Sequence, residues 1–574
     1  MEAAEQTMTS WDGTELFYRA WMPKRKKAQK ALLLFHRGHE HSGRWQETVD
    51  SLGLRDAAIF AWDARGHGCS PGERGAGKDL SDVIKDVDAF VRHISQRYGI
   101  PLENMIVLAH SLAAVTVSAW VHDYAPPIRA QILATAAFDV KLYVPLAIPG
   151  LRLLQKFVTT GKVTSYVRAT MLTQDPVEAA RYEDDPLIFR QIAINLLLDL
   201  HDTAQRLVAD AGAIHVPTLM LAAGRDWVVS LAAQRQFFDR LSSPVKRMHV
   251  FPAMYHAIFH EKDRAQVIER TRAFILERFG QPPPVLSLRA ADQYGYTWEE
   301  YERLKLRGGL KFLAAKTALR IGGHLSKGID LAWESGFDSG RSLDYVYENR
   351  PQGSLRFGRF IDANYLNSIG WRGIRQRKVN LEKALRELIE TLHAEGRPVR
   401  ILDIAAGPGR YVLETMRALP DIPISATLRD NQQENVDAAR ALAEEFGLAN
   451  VSVGAGDAFD RVALAAFAPR ATIGIVSGLY ELFPSNDDVA ESLGGLADAI
   501  EPGGYLIYTN QPWHPQLEFI ARVLRNREGK RWIMRRRSTG EIDELVRTAG
   551  FEKCAMEIDR WGMFSVAVAR RARS

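Results

Sequence analysis

Two cysteines, Cys69 and Cys554, are all that 574 residues contain. Rigidity from a disulfide framework is therefore excluded, and the expected setting is the reducing cytoplasm. Also missing is an uninterrupted apolar run of about 18–20 residues, the length a helix needs to cross a bilayer. The opening stretch, MEAAEQTMTSWDG, has neither the basic start nor the apolar centre of a secretion signal. Excess charge is small, +5 with histidine neutral. That is too little to call for nucleic acid, and no aromatic-rich surface motif accompanies it. No internal repeat or low-complexity tract is present.

What is there is ordinary globular composition, 46% hydrophobic and 25% charged, in a chain too long for one core. Residues 1–280 alternate short apolar runs (ALLLFH, AAIFAWDA, MIVLAHS, TLMLAAG, RMHVFPA) with helical patterns such as 81–98 and 232–241. That alternation predicts a mostly parallel sheet covered by helices. The run QPPPV at 281–285 breaks it, because consecutive prolines neither continue a helix nor pair in a central strand. Residues 281–375 form a basic, mainly helical connector that holds most of the positive excess. Within it, 303–327 contain seven basic residues and no acid. Helical spacing there places Leu306, Leu310, Leu313 and Ile321 on one face. Two readings follow: a helix lying in the plane of an anionic membrane, or a packing helix with a solvated basic rim, interrupted at Gly308–Gly309 and Gly322–Gly323. From 376 to 574 a second alternation runs through VRILDIAAG, ISATLRD, VSVGAGD, TIGIVSG, YLIYTNQ and FSVAVAR.

The first region carries the parts of a nucleophilic hydrolase. Serine attack on an acyl carbonyl needs a base, an acid to orient it, and donors for the oxyanion. Ser111 stands between the apolar run MIVLAH and the helical LAAVTVSAWV; Asp226 follows TLMLAAG, and His256 follows MHVFPAMY. The order Ser, Asp, His, each at a strand end, is that of an α/β hydrolase. Singly, each has a structural reading: a helix cap for Ser111, a turn residue for Asp226, a polar strand end for His256. The flanking alanines, Ala109 and Ala113, stand where G-x-S-x-G has glycine. His36, His39, His41 and His67 cluster in sequence without metal-ligand spacing, so no metal is expected. With FHRGHEHSGRW (35–45) and WDARGHGCSPG (62–72) added, residues 10–275 resemble the monoacylglycerol lipase and lysophospholipase branch of the α/β hydrolases. The resemblance implies an oxyanion hole from the amides of Gly38 and Leu112. It also implies a helical cap at about 140–210 over an acyl pocket, and an acylglycerol or lysophospholipid-like ester as substrate. Arg37 departs from the branch, standing where it has glycine, and His39 replaces another small residue.

The second region begins with VRILDIAAGPGRY (399–411), a strand, an acid and a small-residue loop leading into a helix. Such a loop lets a cofactor approach the backbone at a helix N-terminus, though dinucleotide binders share it. Asp430 ends the next strand, where an acid accepts ribose hydroxyls, and Asp457 follows a third, suited to an adenine amino group. The succession over 395–570 resembles class I S-adenosylmethionine-dependent methyltransferases. Asp403, Ala405, Gly407 and Gly409 match the acidic D-x-G-x-G-x-G loop, and G-x-G-x-x-G is absent. Acceptor-site candidates are Tyr480 and Glu481 after the fourth strand, His514 after the fifth, and Arg535, Arg536 and Arg537 for phosphate or carboxylate. For the arginine run a solvated face is the alternative; for Tyr365 and Trp371, packing is weighed against lining the donor site.

With SLDYVYENRPQG, NSIGWRGIRQRK, QPWHPQLEFIARVL and WIMRRR, the whole chain resembles a bacterial family fusing the two enzymes. The expected fold class is α/β: an α/β-hydrolase fold with helical cap (1–280), the connector (281–375) and a Rossmann-like class I methyltransferase (376–574). The expected function is ester hydrolysis through Ser111, Asp226 and His256, plus methyl transfer from S-adenosylmethionine to an acceptor the sequence leaves open, with small-molecule or lipid substrates as the expected partners. The expected location is cytoplasmic, with peripheral membrane contact through 303–327. The alternative is a methyltransferase alone, with the hydrolase fold serving as a binding module.

Overall fold

A computed structural model describes residues 2–24, 28–158, 161–284, 286–306 and 308–573. Val285 of the proline run and Arg307 of the basic run lie outside the described residues. The chain divides into two compact units, Met1–Leu286 and Ser287–Ser574.

The first unit is built on ten strands: β1 (Ala4–Thr9), β2 (Glu15–Trp21), β3 (Ala31–Phe35), β4 (Ala58–Trp62), β5 (Met105–His110), β6 (Ala130–Ala134), β7 (Lys162–Thr164), β8 (Gln191–Ala193), β9 (Thr218–Ala223) and β10 (Lys246–Phe251). Eight of them form one sheet in the order β1-β2-β4-β3-β5-β6-β9-β10, with β7 and β8 paired separately. Strands β3, β4, β5, β6 and β9 are buried at every residue. That is why they read in sequence as continuous apolar runs: helices cover both faces of a parallel sheet. The helix Leu80–Tyr98 starts at Asp79, whose carboxylate accepts the Ser81 amide at 3.0 Å, and stops at Gly99 in left-handed geometry. Between β6 and β9 the chain leaves the sheet and builds a cap. Helices Ala147–Gln155, Pro176–Glu183 and Ile194–Asp210 are joined there by the β7–β8 pair, a small sheet absent from the sequence reading.

The second unit adds β11 (Val399–Asp403), β12 (Ile424–Asp430), β13 (Val451–Ala455), β14 (Ala471–Val476), β15 (Ile500–Asn510), β16 (Phe551–Ile558) and β17 (Ser565–Arg571). They lie in the order β13-β12-β11-β14-β15-β17-β16. All neighbours run parallel except β17, which is antiparallel to β15 and β16. The order reverses between β11 and β14, opening a crevice at their carboxyl ends. This is the Rossmann-like class I methyltransferase fold.

Residues 287–375 are not a free-standing linker. They fold as part of the second unit through the helices Tyr296–Lys305, Leu310–Gly323, Lys327–Ser335, Gly340–Glu348 and Leu355–Leu366. Their apolar faces needed a partner, and Leu304, Phe337, Val346 and Leu366 share one core with Leu517, Ile520, Met534 and Phe564. Buried Asp362 ties the helices together. It accepts Ser326 Oγ at 2.5 Å and the Gly328 amide at 2.9 Å on one oxygen, Tyr345 Oη at 2.5 Å and the Gln352 amide at 2.8 Å on the other. Arg410, beginning the helix after the 403–409 loop, grips Asp344 at 2.5 and 2.7 Å. The helical cover is thereby fixed to that loop.

Of the two readings of 303–327, the packing one needs correction for the four apolar residues on which it was built. The helix breaks between Lys305 and Leu310, and Leu306, Leu310, Leu313 and Ile321 are exposed rather than packed. Phe312 and Leu319 turn inward instead. Among the described residues no helix is long and apolar enough to cross a membrane.

Candidate active sites

In the first unit, the turn from β5 into the helix Leu112–Tyr124 forces Ser111 to φ 59° and ψ −115°. A side chain pays for that conformation, which persists only where neighbours impose it. Here the Ser111 amide is pinned to the Ala134 carbonyl at 2.8 Å. Ala109 pairs with Phe35 on one side and Leu133 on the other, fully buried, and Ala113 is nearly so. The turn thus closes around two methyl groups where glycine was the expectation.

Ser111 Oγ lies 2.8 Å from His256 Nε2, and His256 Nδ1 lies 2.9 Å from Asp226 Oδ2. The other oxygen of Asp226 accepts the Val228 and Val229 amides at 2.8 and 2.9 Å. Burial alone would raise this carboxyl, but His256 and the two amides outweigh it and hold it below the usual carboxylate range. An ionised Asp226 keeps the imidazole proton on Nδ1, leaving Nε2 to accept from the serine hydroxyl. A cavity of about 150 Å³ opens on Ser111 and His256, with Gly38 and Leu112 beside them and Leu142, Tyr166 and Leu200 of the cap around it. Leu112 is the first residue of its helix, so its amide has no partner within the helix.

Arg37 does not intrude on this arrangement through a free charge. Its guanidinium forms a buried pair with Glu40, Nη2 to Oε1 and Nε to Oε2 both at 2.7 Å, and lies 5.2 Å from the Tyr182 ring centre. The histidines nearby are likewise engaged: His36 Nε2 accepts the Ala64 amide, and His41 Nε2 meets Asp185 at 2.9 Å. Among the described residues no group of three or more potential ligands could hold a metal.

In the second unit, Asp403 ends β11 fully buried. Tyr411 Oη donates to it at 2.5 Å and the Ala405 amide at 3.3 Å, yet burial pushes its carboxyl up to about 7. Gly407 and Gly409 adopt left-handed φ of 55° and 67°; a Cβ on Gly409 would strike Leu428, while one on Gly407 would meet open space. Asp430 fastens this loop. One oxygen accepts the Gly407 amide at 2.9 Å, the other the Gln432 amide at 2.9 Å and Asn435 Nδ2 at 3.0 Å. A cavity of about 300 Å³ at these strand ends is lined by Ala405, Asn431, Gln432, Asp457 and Phe459. Asn431, missed in the sequence, is the residue the β12 end offers to it.

A larger cavity, about 410 Å³, shares Asp338, Leu482 and Trp532 with the first. Glu481 and His514 line it, as do Tyr365 and Trp371 from the helical cover. Tyr480 does not. Its hydroxyl donates to Ser492 at 3.0 Å inside the core, because the single 3-10 turn Tyr480–Leu482 rotates successive side chains by about 120°. The three arginines are neither a ligand grip nor a solvated face. Arg535 pairs with Glu541 at 2.7 Å, Arg536 with Glu300 and the Pro512 carbonyl, and Arg537 with the carbonyls of Tyr480, Phe483 and Ser485. All three are buried, stitching loops that leave backbone carbonyls without sheet or helix partners. Arg377 escaped notice although it lines the larger cavity, 3.5 Å from Glu481. The signal was available: it lies three residues after Ile374 and four before Leu381, a charge on the buried stripe of the helix Ile369–Ala394.

Comparison with known proteins agrees with this division. Residues 271–571 match the model of the family described as "Putative methyltransferase", and residues 26–263 that described as "Serine aminopeptidase, S33". The "Uncharacterized protein YnbC" of Escherichia coli K12 is 47% identical over 577 residues, covering 99% of this chain and 98% of that one. The monoacylglycerol lipase of Mycolicibacterium smegmatis is 26% identical, covering 48% of this chain and 97% of its own. Human monoglyceride lipase is 28% identical, covering 44% and 82%.

The burial of Asp403 has a measurable signature. With its carboxyl at about 7 in the fold and about 3.9 when unfolded, the native state alone holds this proton between those values. Stability from this group is therefore present at low pH and lost as pH rises through about 7. Asp403→Asn is expected to flatten that dependence, read as the difference between urea midpoints at about pH 5 and about pH 7.5. Parallel curves for variant and wild type would contradict the assignment.

Proposed function

The chain belongs to this methyltransferase family in its fused, two-unit form, and from that premise we propose that it is a bifunctional enzyme. The first unit acts as a serine ester hydrolase on acylglycerol or lysophospholipid-like esters. The second transfers a methyl group from S-adenosylmethionine.

The observation that carries the hydrolase reading is the unbroken line from Ser111 through His256 to Asp226, opening into a cavity walled by the cap. His256 takes the Ser111 proton as Oγ attacks the ester carbonyl, then returns it to the leaving alcohol. Asp226 orients the ring and balances its charge. The amides of Gly38 and Leu112 receive the oxyanion. An acyl group suits the apolar wall that Leu142, Val163 and Leu200 of the cap give this cavity. An intact triad favours catalysis over the alternative of a silent binding module.

The methyl-donor reading rests on the crevice between β11 and β14. The small residues Ala405, Gly407 and Gly409 allow close approach of a cofactor, and Asn431 and Asp457 supply polar groups at the cavity. When bound, S-adenosylmethionine supplies an electrophilic methyl group on a sulfonium. Residues of this chain would hold it: Asp403, through Tyr411, and Asp430, through the Gly407 amide, fix the loop, while Asp457 offers a carboxylate for an amino group.

Peripheral contact with an anionic membrane is supported by the segment 310–323. It exposes Leu310, Leu313 and Ile321 alongside Lys311 and Arg320, with Lys316 half-buried.

A fluorophosphonate probe is expected to label the chain once, on Ser111, and Ser111→Ala to abolish the adduct. Asp226→Asn is expected to lower ester turnover by about 10³–10⁴-fold. A folded chain that takes no label contradicts the hydrolase. Calorimetry is expected to show binding of S-adenosylmethionine and none of NAD, and Asp457→Ala to weaken it about tenfold, roughly 1.4 kcal/mol. No heat with the sulfonium contradicts the transferase. Co-sedimentation with vesicles is expected for anionic but not zwitterionic lipid, and to be lost in Lys311→Glu with Arg320→Glu; equal absence from both vesicles contradicts membrane contact.

A further inference from the structure

The 410 Å³ cavity beside the donor pocket has an apolar body and an unusual polar inventory. Its walls include Phe337, Trp371, Ile374, Phe519 and Phe564, and its size falls in the range of about 300–1,000 Å³ typical of small-molecule sites. Every polar group on its lining side chains that lacks a protein partner can donate. Arg377 Nε, Gln511 Nε2, Trp532 Nε1 and Tyr365 Oη are buried with no hydrogen-bond partner among the described residues, and of these only the Tyr365 hydroxyl can also accept. His514 adds a fifth donor: its Nδ1 accepts the Gln516 amide at 3.1 Å, which leaves the ring proton on Nε2. Burial pulls this imidazole down to about 4, so it is neutral and its one proton is fixed. Buried donors left without acceptors are costly, and an occupant rich in acceptor oxygens repays that cost.

The acids at the cavity are already engaged. Glu481 lies against the Arg377 guanidinium at 3.5 Å. Asp338 accepts the Arg527 amide at 2.6 Å and Arg527 Nε at 3.3 Å. Burial holds the Tyr365 phenol protonated. An alcohol or ammonium acceptor would arrive with a proton to lose, and the lining offers no unengaged base to take it. A nucleophile already deprotonated at neutral pH needs none.

We propose that the methyl acceptor is a carboxylate carried on an apolar body, seated in this cavity and methylated on oxygen. The proposal rests on the reading of the second unit as a sulfonium-dependent methyltransferase. A carboxylate oxygen forms the C–O bond to the methyl carbon while the C–S bond breaks and its electron pair goes to sulfur. No proton moves. The anion and the sulfonium cation become a neutral methyl ester and a neutral thioether. Arg377, Gln511, Trp532 and His514 present donors to the carboxylate, and the aromatic walls take the chain. Ester hydrolysis is the class of reaction that supplies such a carboxylate, and it is the reaction proposed for the first unit.

The test uses the full chain carrying Ser111→Ala, so that the first site cannot cleave the product. Methyl-labelled S-adenosylmethionine is offered with decanoate, decanol or decylamine. The expected result is label in a decanoate product that mild alkali releases as methanol, with decanol and decylamine unlabelled. Calorimetric titration with decanoate is expected to show binding that weakens about tenfold or more in Gln511→Leu and in His514→Phe. A chain that binds the sulfonium but labels the alcohol or the amine, or neither binds nor labels decanoate, overturns the proposal. A chain that does not bind the sulfonium at all overturns the transferase reading beneath it, and the two failures are thereby told apart.

Discussion

A parallel strand cannot return to its neighbour through a tight turn; it needs a crossover, and the crossover helix packs on the sheet. Both units are built under that constraint. It makes the central strands apolar on both faces and collects the polar, conformationally demanding residues at the carboxyl ends of the strands. Ser111 leaves β5, Asp226 follows β9 and His256 follows β10; Asp403 ends β11 and Asp430 ends β12. The same geometry, applied to two unrelated strand orders, yields a hydrogen-bonded triad in one unit and a cofactor-sized crevice in the other.

Additions to each sheet decide what the strand ends see. In the first unit the cap supplies apolar walls over Ser111. In the second, the segment 296–366 supplies Phe337 from a turn between two helices and Tyr365 from a helix, and the long helix after it supplies Trp371 and Arg377. These helices are held together above all by buried Asp362 with its four donors. The donors of Arg377, Gln511 and Trp532 at the cavity have no such partner among the described residues.

What was legible in the sequence follows from this division. Buried parallel strands announce themselves as apolar runs, and the order of Ser111, Asp226 and His256 survives as chain order. Strand β16 escaped because FEKCAMEI is a half-exposed edge strand with mixed polarity. Residues 287–375 read as a connector because they carry charge and no strand; their partners, such as Ile520 and Met534, lie some 200 residues away in sequence. Tyr480 and Glu481 are adjacent, yet only Glu481 reaches the cavity, since the direction of a side chain in a short helix is a tertiary fact. Arg535–Arg537 resemble a binding cluster in any linear view. Their burial comes from carbonyls and carboxylates contributed by distant loops. Arg37, a charge where the lipase branch has glycine, is paired by Glu40 three residues on.

The two proposed chemistries share one class of molecule, an apolar acyl group. The decisive measurement is mass spectrometry of the intact protein supplied with a monoacylglycerol carrying ¹³C in its acyl chain and with S-adenosylmethionine carrying a deuterated methyl group. The account predicts a methyl ester bearing both labels. It also predicts that this product is lost in Ser111→Ala and restored there when the free ¹³C-labelled acid is added. A Ser111→Ala chain that binds the sulfonium yet forms no doubly labelled ester from the added acid would contradict it.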